Sequence, residues 1–194
     1  MNPWVTIWFK PRQTIRHIVN TNPRHLVLPI VITAGAIEGF TYPRYLSARF
    51  RVSEPLTTPI AIGLGVTLSV TSLYVFGWLY RWVGSWFKGQ ARNVEVRATI
   101  AWLKIPVMVG LFLWFCSRKV SLGFHPLGVF LFIAGYVVLV WGGLLKCHAL
   151  GEVHHFSAWK GLGTIVITNV LVWIPILVLG FVVLLVVVRA RFVP

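Results

Sequence analysis

Four glutamates and no aspartate make up the whole acidic complement of this 194-residue chain, against 18 lysines and arginines. Glu38 alone among them falls inside a long apolar run. An ionisable group at membrane depth is costly, so it marks either proton or cation coupling or a carboxylate satisfied by a neighbouring helix or basic loop. Lys104 and Pro106 interrupt a second run. A broken span frees backbone groups that can line a cavity, which makes Glu38 and Lys104 a candidate polar transport site. The alternative is a snorkelling lysine beside a helix kink. His148, Glu152 and His155 stand at i, i+4 and i+7, a spacing that could gather imidazole and carboxylate on one helical face as a weak candidate for zinc. Gly151 would interrupt that face, and head-group contact is the competing reading. His-Glu-x-x-His, a glycine-rich phosphate loop, a Ser-His-Asp set, paired carboxylates and Cys-x-x-Cys are all missing from the sequence. An enzyme is therefore not expected, and no cofactor is implied.

The elements that would position these residues are helices in lipid. The chain is 57% hydrophobic and 11% charged, where a soluble domain carries about 25% charged residues. A span needs about 20 apolar residues to cross about 30 Å of hydrocarbon. Five runs qualify or nearly do, at about 26–42, 56–80, 98–116, 122–145 and 162–188, the first being short. The fold class expected is all-α: one polytopic bundle of five transmembrane helices occupying residues 1–194. Gly35 and Gly39 give a small-xxx-small spacing that suits either tight packing within the chain or a dimer face.

Residues 1–22 lack the continuous apolar core of a signal peptide. Trp4, Trp8, Pro11, Ile15, Ile18 and Val19 instead share one helical stripe, with Lys10, Arg12, Gln13, Arg16 and His17 around the rest. That pattern predicts an amphipathic helix lying in the lipid interface, its regular part starting at Pro11 and stopping near Asn20-Thr21-Asn22-Pro23. Trp4, Trp8, Lys10, Arg12 and Arg16 are the candidate lipid-surface residues. A packed N-terminal helix is the alternative. A second amphipathic segment, Gly84 to Leu103, is expected to lie along the surface before span three and to turn upward at Lys104-Ile105-Pro106.

The formal net charge of +14 raises the question of nucleic acid, but the cations sit in short connectors between apolar runs. Anionic lipid head groups are the fitting partner there, at about 1 kcal/mol per cation. With an odd number of spans, eleven cations fall on the amino-terminal side and seven on the other. The positive-inside rule then puts the amino terminus inside and the carboxyl terminus outside. This arrangement places Lys104 across the membrane from Glu38. It also sets Cys116 and Cys147 at opposite ends, too far apart for a disulfide.

The string Asn2-Pro3-Trp4 through Trp8, Lys10-Pro11-Arg12 and Thr14-Ile15-Arg16 resembles the opening of the Yip family, the Ypt-interacting-protein-like integral membrane proteins, in their short prokaryotic form. The likeness continues at Gly77-Trp78, Gly89-Gln90, Glu95-Val96-Arg97-Ala98, Ala101-Trp102 and Pro106, and at Glu152 and Phe156-Ser157-Ala158-Trp159. It implies a five-helix bundle with a cytosolic amino end, here in a prokaryotic cytoplasmic membrane. Eukaryotic relatives are associated with Rab-type GTPases through a longer amino-terminal region, which is largely absent from the roughly 25 residues that precede span one.

Together these readings predict a non-enzymatic membrane scaffold, a lipid-interacting organiser or adaptor. The alternative is a small channel, transporter or lipid-translocating protein using the irregular spans one and three. A homo-oligomer or a membrane-protein partner is compatible with the apolar faces.

Overall fold

The structure, a computed structural model, describes residues 2–40, 54–120 and 125–192. Seven helices and no strand appear among them: α1 (Pro3–Thr6), α2 (Pro11–Thr21), α3 (Val27–Phe40), α4 (Glu54–Trp86), α5 (Asn93–Val120), α6 (Pro126–Val153) and α7 (Ala158–Phe192). Helices α4 to α7 are each long and apolar enough to cross a membrane, and α3 is a shorter apolar helix of 14 residues. This is a polytopic helical membrane protein.

Glycines decide how closely the helices approach, because lipid offers little hydrophobic drive for helix to leave it for helix. Gly35 and Gly39 of α3 press against the backbone of α4 at Ala61 and Gly65. A Cβ at Gly35 would lie 2.6 Å from the Gly65 carbonyl oxygen, and Ser69 Oγ donates to the Val31 carbonyl at 3.0 Å across the same seam. The small-residue pair is thus consumed within the chain. Helices α5 and α6 run antiparallel, with Gly110 against Gly135 and Leu139, and Pro106 against Gly142.

The segment expected to lie on the surface before span three is not a separate element. Helix α4 continues through Gly84-Ser85-Trp86, and from Asn93 onward the chain is already α5, which runs unbroken past Pro106. Its apolar face is turned to protein: Val96, Ala98 and Ala101 are fully buried and Trp102 is 1% exposed. A proline in a helix costs its own hydrogen bond. Pro106 is nevertheless buried inside α5, and the helix continues through it to Val120.

The amino-terminal helix also differs in its host. Regular α2 starts at Pro11 and ends at Thr21, where Pro at the first position and the Asn-Thr-Asn-Pro run predict. Its apolar stripe, however, docks on the bundle: Ile15 and Ile18, with Ile7 ahead of the helix, are buried in one core with Trp102, Leu145, Leu150 and Val153, and Thr14 is buried as well. Only Trp4 and Phe9 keep large aromatic area outside.

This core gathers at one end, here termed the docked end. The amino-terminal helices, the α4–α5 connector and the α6–α7 connector meet there: Arg16 reaches Glu152, the Gln90 amide donates to the His154 carbonyl, and Phe87 lies against Gly163. The opposite, open end holds the described far halves of α4, α6 and α7.

Candidate functional site

The docked end is fastened by polar contacts of long sequence range. Arg16 Nε donates to Glu152 Oε1 at 2.5 Å, with Glu152 7% exposed and Arg16 66% exposed. Arg12 Nη2 donates to the Phe156 carbonyl at 3.4 Å, and Trp141 Nε1 donates to the Trp8 carbonyl at 3.1 Å. Trp4 meets Trp102 edge-on at 5.3 Å between ring centres. The neighbouring carboxylate raises the Arg16 pKa above its already high ordinary value, so the cation is permanent. Of the five residues assigned to the lipid surface, Lys10 and Trp4 are exposed, Trp8 and Arg12 are half-buried against protein, and Arg16 is shared between Glu152 and solvent.

Helix α6 ends in a Schellman arrangement that accounts for the His148, Glu152 and His155 spacing. The Phe156 amide donates to the Gly151 carbonyl at 2.9 Å and the His155 amide to the Glu152 carbonyl at 3.1 Å, with His155 at φ 58°. This is the left-handed exit that closes many helices. His155 has therefore left the face on which His148 and Glu152 lie, while Glu152 is engaged by Arg16. Among the described residues no three His, Cys, Asp or Glu side chains come together as a metal-ligand set. Gly151, expected to break the helix, lies inside it. A Cβ there would stand 3.0 Å from the Phe156 carbonyl oxygen and 3.1 Å from Arg12 Nη2, so the missing side chain makes room for the returning chain.

His154, the C-cap, is a feature that sequence reasoning missed. Its ring is 1% exposed, stacked on Phe156 at 5.0 Å and 8°, and seated against Gly84 and Gly89 so closely that a Cβ on either would collide with it. Burial pushes its pKa down to about 4, which keeps the imidazole neutral at pH 7. The two glycines were the only linear signal, and nothing in the sequence joins them to a histidine some 65 residues on.

Glu38 and Lys104 were expected on opposite sides of the membrane. The structure corrects this, for Lys104 Nζ donates to Glu38 Oε1 at 3.2 Å. Lys104 lies well inside α5 because that helix begins at Asn93, and its long side chain covers the remaining distance. Two further cations face tyrosines of α4: Arg97 of α5 lies over the Tyr74 ring at 4.3 Å, and Lys146 of α6 donates to Tyr80 Oη at 2.7 Å. Cys116 and Cys147 are both free thiols.

The electrostatic outcome at the docked end is one-sided. Glu95 is taken by Arg92 at 2.6 Å and Glu152 by Arg16, while Lys10, Arg24, Arg81, Lys88 and Lys160 are exposed there. None of those five forms an ion pair among the described residues.

Residues 5–188 match the family model of the Yip1 domain. Searches of curated proteins and of solved structures return no match.

Proposed function

The chain belongs to the Yip1 domain family, and from that premise we propose that it is a non-enzymatic organiser of the membrane surface. Its bundle presents a rigid, cationic, tryptophan-bearing face to anionic head groups and to partners that gather on them. The observation that carries this reading is the charge balance: 18 cations against four carboxylates. Glu38, Glu95 and Glu152 each face a cation of the chain, so the exposed cations of the docked end must draw counter-charge from outside. Anionic lipid supplies it where the spans leave the hydrocarbon, at about 1 kcal/mol per cation. Docking of α2 on protein fixes Lys10 and its neighbours in place, so little ordering entropy opposes the contact.

The matching location is a prokaryotic cytoplasmic membrane with the docked end inside, as the positive-inside rule favours. A maleimide that cannot cross membranes should label Thr6→Cys, in an otherwise cysteine-free chain, only after inverted vesicles are made. The lipid reading is tested by reconstitution in phosphatidylcholine with a minority of phosphatidylglycerol, following head-group spin-labelled lipid at the protein boundary. Phosphatidylglycerol should be enriched at least twofold, and K10Q/R24Q/K160Q should erase most of that. Equal association of both lipids with the unaltered protein would reject the reading.

A second reading, solute or ion movement, draws on the Glu38–Lys104 pair between spans. Its readout is vesicle flux that E38Q abolishes while the fold persists.

A further inference from the structure

A pocket of about 260 Å³ opens beside the α4–α5 connector, lined by Trp78, Arg81, Trp82, Ser85, Gly89, Gln90 and Ala91. That volume is smaller than the usual range for whole small-molecule ligands, about 300–1,000 Å³, and suits a head group whose remainder lies elsewhere. One wall is a tryptophan ladder on α4. Trp78 stacks on Trp82 at 5.6 Å and 7°, and Trp82 meets Trp86 edge-on at 4.8 Å. All three are exposed, Trp78 by 53%. Indole rings are the side chains that settle at head-group level, with an apolar body toward acyl chains and an N–H toward the polar layer. The ladder descends α4 from its last turn into the apolar run, so it offers a continuous surface from the helix end toward the span.

The other wall is fixed by packing. The connector turns at Lys88, φ 64°, with the Gly89 amide donating to the Gly84 carbonyl at 3.0 Å. The buried His154 ring lies against Gly84 and Gly89, and the Gln90 amide donates to the His154 carbonyl at 3.4 Å. Ala91 is 5% exposed and belongs to the core. Arg81 supplies the charge. It is exposed and forms no ion pair among the described residues. The nearby carboxylate, Glu95, holds Arg92 through both its oxygens.

From this we infer that the pocket is a specific site for the phosphodiester head group of an anionic glycerolipid, with Arg81 holding the phosphate and the Trp78–Trp82 ladder holding the glycerol and the first part of an acyl chain. Guanidinium binds phosphate oxygens in pairs, which a point charge cannot do. The inference deepens the surface-organiser reading by adding one stoichiometric site to a diffuse cationic face.

The test is native mass spectrometry of the full chain, released from detergent micelles carrying phosphatidylglycerol, phosphatidylcholine, or inorganic phosphate alone. One phosphatidylglycerol should remain bound per chain, and R81Q should weaken that adduct at least fivefold, with R81K intermediate and W78L/W82L also weakened. K10Q/R24Q/K160Q should leave it intact while removing the diffuse enrichment, so failure of the pocket and failure of the broader reading are separable. Retention of phosphatidylcholine as strongly, binding of phosphate alone as tightly, or an R81Q protein that keeps its lipid would each overturn the assignment. Unchanged thermal stability of R81Q in lipid-free detergent checks that the loss is one of binding.

Discussion

The two ends of α7 obey different rules. Its first three turns are locked into the docked end, where Gly161, Thr164 and Thr168 are buried and Gly161 lies on the Cys147 carbonyl. From Trp173 to Val186 every side chain is exposed, apolar on all sides. A helix apolar all round is stable only inside a core or in lipid. The same helix is therefore held by protein at one end and by solvent lipid at the other, and precision of sequence matters only at the first. The α4–α5 and α6–α7 connectors, the buried Glu152 and His154, and the pocket beside Arg81 lie at the protein-held end.

Paired glycines on α7 give the sharpest way to break that contrast. Gly161→Leu would drive a side chain into the Cys147 backbone and should cost about 3 kcal/mol or more. Gly180→Leu meets nothing within 4 Å and should stay within about 0.5 kcal/mol. Thermal unfolding in detergent checks both, and comparable losses would erase the distinction.

The next effect concerns the charge pair between spans. Replacing Lys104 by Met removes the cation facing Glu38, and E38Q does the reverse. Each should cost about 1–3 kcal/mol, while the double variant recovers part of it, giving a coupling of about 1 kcal/mol. Additive losses would mean that the 3.2 Å contact contributes nothing.

Acid should loosen the docked end selectively. His154 binds its proton near pH 4 when folded and near 6.5 when unfolded, so between those values the unfolded chain holds more protons. Stability from this group is present above pH 6.5 and is lost as pH falls toward 4. Hydrogen exchange at residues 84–91 and 150–157 should rise in that window, with the amides of residues 173–186 unaffected. H154F, if it folds, should flatten the dependence.

The smallest effect is expected at Trp141. W141F deletes the donor to the Trp8 carbonyl and should cost about 1 kcal/mol, seen as faster proteolysis within residues 2–22.

Much of this architecture is legible in the residues. Apolar run length places the helices, Pro11 starts α2, and the Gly35-Gly39 spacing marks a close helix contact. What the sequence does not disclose is which surface an amphipathic stripe meets. Ile15 and Ile18 would look the same against lipid or against Leu150, because both are hydrocarbon. The reading of Gly84 to Leu103 as a surface segment failed for the same reason, since Val94, Ala98 and Ala101 form a stripe that α6 fills. Pairings such as Arg16 with Glu152 or Lys104 with Glu38 join residues 136 and 66 positions apart, and no local pattern encodes them. The His148-Glu152-His155 spacing presumed a continuous helix that the left-handed turn at His155 ends. The pocket beside Arg81 was invisible because its far wall depends on where His154 lands.

The most direct test is a salt titration of lipid selectivity around the reconstituted protein. The screening length shrinks from about 10 Å at 0.1 M salt to about 3 Å at 1 M. Boundary enrichment of phosphatidylglycerol over phosphatidylcholine should be clear at low salt and fall toward the single Arg81-dependent lipid at high salt. Equal boundary occupancy by the two lipids at every ionic strength would contradict the account.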